Sequence, residues 1–236
     1  MIIDAHTHIG FEDKLQQQTE EELLGHLDRG NVDRAVTFPF GPSVQDYREI
    51  NEKFASYLDN KRLIPFGRVN QLSKDVVDQV ERIHALGLKG VKVHTSHARL
   101  DASPPMLRKI EKLDLPLLVH TGEGQHASVK QLQDLKFSGR LIIGHGGKGN
   151  VSVAAKLATE RDNFFVETSL LTVYGTRLLI DKVPIEKILL GSDAPFSFPS
   201  LEIFKLKEIE RLGILSAEDN MKICGKNYIK EFKKTL

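Results

Sequence analysis

Gly90-Val91-Lys92-Val93-His94 decides the fold, together with a helical segment from Pro105 to Leu113 and an aliphatic run from Leu115 to His120. A short aliphatic run, a segment of helical periodicity and another aliphatic run are typical of a βα unit in a parallel sheet. Residues 90–120 therefore predict two parallel strands joined by a helix.

The same alternation extends in both directions along the chain. Eight strands are predicted, at Ile2–Ala5, Arg34–Phe38, Leu63–Val69, Gly90–His94, Leu115–His120, Leu141–Gly144, Phe164–Glu167 and Ile188–Gly191. Helices are predicted at Thr19–Arg29, Gln45–Leu58, Lys74–Ala85, Pro105–Leu113, Leu201–Arg211 and Ala217–Phe232. Eight βα units predict an α/β fold of the (β/α)8 TIM-barrel type, with an open doubly wound sheet as the alternative. No linker divides the chain, so we expect one domain over residues 1–236.

Composition narrows the classes of function. The 236 residues carry 33 Lys plus Arg against 32 Asp plus Glu, a formal net charge of +1, which argues against a nucleic-acid partner held by bulk charge. Apolar runs are too short for a membrane span, and the first residues enter a strand rather than a signal peptide. Cys224 is the only cysteine. We expect a cytoplasmic protein with a small-molecule substrate, no membrane partner and, by default, a homodimer.

The histidines mark one end of the predicted barrel. Of nine histidines, five lie at or just after the carboxyl end of a predicted strand: His6, His8, His94, His120 and His145. Active-site groups of βα barrels gather at that face. These side chains are therefore expected to converge, although they come from four strands.

A metal site is the chemistry that best explains this convergence. His6 and His8 are two residues apart, so in a strand they share one face and both reach the same ion. His120 and Asp193, at two further strand ends, are the remaining candidate ligands. The competing interpretation of a His-x-His pair by itself is a polar strand end.

His145 lies in a glycine-rich turn with two interpretations. We favour a role beside the ion, as an electrophile or general acid/base, over a fourth histidine ligand or a buried structural histidine. Residues 144–149 also satisfy Gly-x-Gly-x-x-Gly, with Glu167 about 20 residues on, as a dinucleotide site requires. That alternative explains none of the strand-end histidines.

Other polar residues are candidates for contact with the substrate. Lys92 and His94 are two residues apart in a predicted central strand, and Arg68 ends the third strand. Lys92 is predicted to bind a substrate carboxylate or, if carbamylated, to bridge two metals, whereas a lysine that reaches the surface is the plainer alternative. Glu123 and Glu167 are candidates to orient a histidine, or else are solvated carboxylates.

Taken together, these segments resemble the amidohydrolase superfamily, in particular the amidohydrolase-related branch that includes aminocarboxymuconate-semialdehyde decarboxylase. The resemblance spans nearly the whole chain and is carried by residues 4–8 (DAHTH), 90–94 (GVKVH), 120–122 (HTG), 144–147 (GHGG), 191–196 (GSDAPF) and 225–227 (GKN). It implies a distorted βα barrel with one divalent metal, usually zinc, with Mn²⁺ or Fe²⁺ as alternatives. The implied ligands are His6, His8, His120 and Asp193, with His145 beside the ion.

The resemblance implies two reactions. In hydrolytic members a metal-activated water attacks a carbonyl carbon and the aspartate corresponding to Asp193 helps to deprotonate it; in other members the site assists decarboxylation. Because this chain is shorter than the decarboxylases, we predict a mononuclear hydrolase of a small, anionic ester, lactone or amide. TatD-like DNases, PHP phosphoesterases and a non-catalytic metal-binding barrel remain alternatives of lower weight.

Overall fold

The strands of the protein follow the predicted order. The computed structural model describes residues 1–12, 16–41, 46–122 and 124–236. Its strands are β1 (Ile3–Phe11), β2 (Gln17–Gln18), β3 (Arg34–Pro39), β4 (Leu63–Pro65), β5 (Gly67–Val69), β6 (Val91–Val93), β7 (Leu117–Val119), β8 (Leu141–Ile143), β9 (Phe164–Glu167) and β10 (Ile188–Leu189). All eight predicted strands are therefore found, the third of them split into β4 and β5.

The strands form two sheets whose edges are joined by backbone hydrogen bonds. One sheet has the order β2-β1-β3-β4 and the other β10-β9-β8-β7-β6-β5, and every pair is parallel except β1 with β2. At one junction Phe66, between β4 and β5, donates to Thr37 at 2.9 Å. At the other, Ala5 donates to Leu190 at 2.8 Å. The eight parallel strand positions thus follow one another around a barrel of the TIM type.

Helices surround the strands. They are α1 (Glu20–Gly30), α2 (Arg48–Phe54), α3 (Val76–Ala85), α4 (Pro104–Lys112), α5 (Val151–Glu160), α6 (Val173–Lys182), α7 (Pro199–Arg211), α8 (Ala217–Met221) and α9 (Asn227–Glu231). Short 3₁₀ turns lie at Ala55–Asp59, Leu100–Ala102, Val129–Leu132, Gly144–Gly147, Ile185–Lys187 and Lys233–Thr235, and a π-helical turn at Lys222–Lys226 separates α8 from α9. Thr19 and Glu22 form a capping box at the start of α1.

Strand alternation divides the core into two layers. In β7, Leu117 and Val119 pack outward against the helices, whereas Leu118 packs inside the barrel. The interior layer is closed at the amino-terminal ends of the strands by Tyr228 and Phe232, which stack with ring centroids 4.9 Å apart. The carboxyl ends of the strands are left to form a pocket.

Two details differ from the predicted elements. The first strand continues past Ala5 to Phe11, because β1 pairs with β3 as far as Ile9 and then with β2. Helices α5 and α6 were not among the predicted ones, and Gln45, the predicted start of the second helix, lies outside the described residues.

In the part of the chain that the structure covers, no helix is long and apolar enough to cross a membrane.

Candidate active site

His6 and His8 face the barrel interior because β1 contains a bulge. The pairing of β1 with β3 shifts register between Asp4 and Thr7, which inserts one extra residue into β1. Ile3 and Ala5 pack inside the barrel before the bulge, and His6 and His8 take the interior positions after it. The predicted common face of the two histidines is therefore the face that lines the site.

Asp193 meets both histidines through one oxygen. Its Oδ1 lies 3.0 Å from His6 Nε2 and 3.0 Å from His8 Nε2. Burial opposes the charge of Asp193, but the neighbouring His6 and His145 hold the pKa of the carboxyl well below its usual range. The carboxylate is thus ionised at neutral pH. The backbone of Asp193 is left-handed, with φ of 64°, a conformation uncommon outside glycine.

The three side chains have the donor set that a divalent metal ion requires. The two Nε2 atoms and Asp193 Oδ1 lie within 4.8 Å of one another and are buried. Donor atoms of a tetrahedral site with bonds of ~2.1 Å are separated by roughly 3.4 Å, close to the observed spacing. Imidazole and carboxylate ligands suit Zn²⁺, Mn²⁺ and Fe²⁺ alike. The residues present therefore fit the predicted metal.

Glu167, at the end of β9, orients His6. Its Oε1 lies 2.9 Å from His6 Nδ1, so the carboxylate turns Nε2 of the same ring towards Asp193. Burial opposes ionisation of Glu167, but His6 and the hydrogen bonds lower the pKa of Glu167 to about 2. The two carboxylates together raise the pKa of His6, against burial and Lys92, which lower it. Glu167 therefore has the orienting contact that was one of its two predicted roles.

His145, His120 and His94 form a second group beside the first. His145 Nε2 lies 2.9 Å from His120 Nδ1, and the rings of His120 and His94 stack at 3.8 Å. Burial lowers the pKa of all three rings, that of His94 to about 2, so they are neutral. His120 is not among the residues whose ligand atoms converge with those of His6, His8 and Asp193. Its predicted role as a ligand stays a prediction.

Two buried cations face this cluster. Lys92 Nζ lies 3.1 Å from His6 Nε2, and burial lowers the pKa of Lys92 to about 7. Arg68 is only 3% exposed; its guanidinium lies over the Tyr47 ring at 4.9 Å and 3.9 Å from Glu12 Oε2. Lys92 pairs in register with Arg68 across β5 and β6, so both side chains point inward. The alternative of a surface lysine is wrong for Lys92.

All of these groups except His6 and Glu167 line one cavity of about 410 Å³ at the carboxyl ends of the strands. The lining residues are His8, Glu12, Gln16, Phe40, Arg68, Lys92, His94, Ser96, His97, His120, His145, Leu170, Asp193 and Phe196. Phe40 and Phe196 give the cavity an aromatic wall, with ring centroids 5.9 Å apart. Sequence reasoning missed Glu12, Phe40 and Ser169; the last follows Glu167 by two residues at a strand end, a signal that could have identified it.

The glycine-rich turn is built for packing. His145 and Gly146 both have φ of 56°, and the turn Gly144–Gly147 is buried. A Cβ on Gly146 would overlap the side chain of Leu171, so glycine is required there for close approach. The Glu167 carboxylate binds His6 Nδ1 and the backbone N–H of His145 in this turn. It is therefore not available to bind a ribose, as the dinucleotide interpretation requires. Glu123, the other candidate carboxylate, lies outside the described residues.

Solved structures share the whole fold at low sequence identity. 5-Carboxyvanillate decarboxylase from Sphingomonas paucimobilis matches with a TM-score of 0.74 at 14% identity, covering 98% of each chain. A dihydroxybenzoic acid decarboxylase from Polaromonas sp. JS666, solved with bound manganese and 2-nitroresorcinol, matches with a TM-score of 0.76 at 14% identity, covering 100% of this chain and 97% of the other. 4-Oxalomesaconate hydratase from Rhodopseudomonas palustris matches with a TM-score of 0.72 at 16% identity, covering 99% and 96%.

At these identities the neighbours establish the fold and not the reaction. A sequence search of curated proteins found no match. The family model described as amidohydrolase matches residues 3–230, which is nearly the whole barrel and includes every site residue described above. The chain therefore belongs to the amidohydrolase family of enzymes, as the sequence motifs predicted.

Proposed function

We propose that the protein is a metal-dependent hydrolase of a small ester, lactone or amide that carries a carboxylate. The observation that supports this most strongly is the convergence of His6, His8 and Asp193 in a cavity that also contains Arg68 and Lys92. A divalent ion held by the first three residues would supply a Lewis acid and lower the pKa of a bound water towards ~7. Zn²⁺ is the ion we propose, with Mn²⁺ and Fe²⁺ as alternatives.

Asp193 is the proposed general base. Its Oδ1 is engaged by His6 and His8, so Oδ2 is the oxygen that accepts a proton from the attacking water. This carboxylate is ionised at neutral pH, because His6 and His145 hold the pKa of Asp193 well below its usual range. Decarboxylation instead needs a proton delivered to carbon, which an ionised Asp193 does not hold. This difference in protonation is our reason for placing hydrolysis first.

Arg68 is the proposed anchor for the substrate carboxylate. A guanidinium keeps its charge when buried and binds carboxylates through two parallel hydrogen bonds. Lys92, with a pKa of about 7, adds a charge that is only partly present at neutral pH. The aromatic wall of Phe40 and Phe196 would exclude water from the apolar part of the substrate.

Decarboxylation is the second candidate because two of the three solved structures described above are named as decarboxylases. Their alignments cover nearly all of both chains, so the length of this chain does not favour hydrolysis over decarboxylation, contrary to the expectation from the sequence. Both candidates share the metal and the cationic pocket. They differ in the product that is released.

The deciding experiment measures proton release and carbon dioxide release in parallel. The zinc- and manganese-loaded protein is offered carboxylate-bearing lactones, esters and amides, and aromatic and conjugated acids. Acid release without carbon dioxide supports hydrolysis; carbon dioxide without a hydrolytic product refutes it in favour of decarboxylation. Neither product, from protein that binds one metal ion per chain, would contradict the proposed substrate class.

Arg68→Met tests the anchor. Losing a charged hydrogen-bonding partner costs about 1.5–3 kcal/mol, so KM for a carboxylate substrate should rise about 10- to 100-fold. KM for the matching neutral ester should change little. Arg211→Met, on the exposed end of α7, is the matched control. Equal changes in KM for charged and neutral substrates would contradict the role of Arg68.

A further inference from the structure

A chain of buried hydrogen bonds runs from Glu167 to His120 behind the cavity. Ser169 Oγ donates to Glu167 Oε1 at 2.9 Å. The same hydroxyl lies 2.8 Å from His145 Nδ1, and His145 Nε2 lies 2.9 Å from His120 Nδ1. The residues come from the ends of three neighbouring strands, β7, β8 and β9, so only the closed fold brings them together.

Glu167, at one end of this series of hydrogen bonds, determines which group donates and which accepts along the series. Both oxygens of Glu167 accept backbone N–H groups, Oε1 from His145 and Oε2 from Ser169 at 2.6 Å, so this carboxylate acts as an acceptor. Two oxygens 2.9 Å apart with no proton between them would repel each other. The single hydroxyl proton of Ser169 therefore points at Glu167, and the hydroxyl has only an electron pair for its other neighbour.

The orientation of the Ser169 hydroxyl determines which ring nitrogen carries the proton in His145 and in His120. His145 Nδ1 must carry a proton, because Ser169 Oγ is its acceptor. In a neutral ring His145 Nε2 is then unprotonated and accepts the proton on His120 Nδ1. His120 Nε2 is left with an electron pair, and within the described residues it has no hydrogen-bond partner. Gly122 leaves room beside it, since even an added Cβ would lie 3.5 Å away.

We propose that Ser169 is a positioning residue that fixes His145 and His120 in their Nδ1–H tautomers, so that His120 presents an unprotonated Nε2 to the cavity. The Nε2 atom of His120 can therefore bind a cation or accept a proton, and it has no proton to donate. His145 acts on the substrate only through His120, since both of its ring nitrogens are occupied. For neutral rings the tautomers follow from the hydrogen bonds, whereas their use in catalysis rests on the proposed function.

The competing role for Ser169 is purely structural, as a polar residue that holds the turn after β9. Its backbone N–H bond to Glu167 serves that role and is retained in Ser169→Ala. Loss of the hydroxyl leaves His145 Nδ1 without its acceptor. A structural role predicts lower stability with unchanged tautomers, whereas a positioning role predicts a change of tautomer in a folded protein.

Histidine side-chain NMR decides between the two roles. Long-range ¹H–¹⁵N correlation spectra report which ring nitrogen carries the proton. They are recorded at pH 8 on the 236-residue protein labelled with ¹⁵N-histidine, both as purified and with one equivalent of Zn²⁺. Signals of the two rings are assigned with His145→Gln and His120→Gln. Thr121→Val is the matched control, because it removes a buried hydroxyl that donates to Gly144 O at 2.6 Å and that makes no hydrogen bond to a histidine among the described residues.

We expect His145 to be protonated at Nδ1 in the wild type and in Thr121→Val, with or without Zn²⁺. Ser169→Ala should lower the ratio of Nδ1–H to Nε2–H forms at His145 by about fivefold, the equivalent of one ordinary hydrogen bond. A wild-type His145 protonated at Nε2, or an unchanged ratio in Ser169→Ala, would overturn the proposal. None of these NMR measurements uses a substrate, so they test the tautomers independently of the hydrolase assignment.

Discussion

Replacing Glu167 with glutamine tests the electrostatic core of the site. The carboxylate accepts bonds from His6 Nδ1, from Ser169 N and Oγ, and from the backbone N–H of His145. Glu167→Gln keeps the shape but removes the charge and turns one acceptor into a donor that faces other donors. We therefore expect a folded protein of lower stability, in which His6 is less firmly oriented.

The magnitude follows from the pKa of Glu167, which falls from 4.5 to about 2 on folding. Each unit corresponds to about 1.4 kcal/mol, so ionised Glu167 stabilises the fold by about 3 kcal/mol at pH 7. Because the folded pKa is the lower one, this stability is present above pH 4.5 and is lost as the pH falls towards 2. At pH 3.5 about 2 kcal/mol should remain.

Urea unfolding of the protein without added metal, at pH 7 and pH 3.5, measures both values. Glu160→Gln is the control, since Glu160 is exposed on α5 and its contact with Lys156 spans 3.8 Å. Its free energy of unfolding should match the wild type at both pH values. Equal stability of Glu167→Gln and wild type at pH 7, or a difference that does not shrink at pH 3.5, would refute this account of Glu167.

Three further predictions concern neighbouring groups. A Cβ at Gly191 would overlap Glu167 Oε2, so Gly191→Ala should lower the free energy of unfolding in urea by about 1–3 kcal/mol. Lys205 lies 2.6 Å from Glu202, and burial raises the pKa of Glu202 to about 7. Lys205→Met removes the counter-ion of Glu202, so the loss in free energy of unfolding should be larger at pH 8 than at pH 6, because the unpaired acid is protonated at the lower pH. Asp193→Asn should reduce bound zinc below the roughly one equivalent per chain expected of the wild type by elemental analysis, and unchanged content would exclude Asp193 as a ligand.

Local sequence was sufficient for the elements and for the face on which the site lies. Aliphatic runs separated by helical periodicity identified the eight strand positions, and helix starts are marked by residues such as Thr19 and Ser216, whose side chains each accept a backbone N–H. Because parallel strands end at one face, the strand-end histidines had to gather there. The organisation of residues 1–236 as one domain stays a prediction, as do the catalytic roles of His145 and Asp193.

The protonation pattern of the site could not be predicted in the same way. Which nitrogen of His145 carries a proton depends on Ser169, from another strand, and on Glu167, whose carboxylate also contacts His6. The burial that brings the pKa of Lys92 to about 7 is likewise a property of the closed barrel. Sequence spacing identifies the residues of such a cluster, and the packed partners set its charge states.

The bulge in β1 shows most clearly where local reasoning ends. A spacing of two residues predicts that His6 and His8 share a face, but it leaves open which face that is. In an unbroken strand the interior positions after Ile3 and Ala5 would be Thr7 and Ile9, and both histidines would point towards the surrounding helices. The single extra residue between Asp4 and Thr7 reverses this alternation, so that Ile9 packs outward and the histidines reach Asp193. The candidate metal site therefore depends on a register shift that only the pairing of β1 with β3 defines.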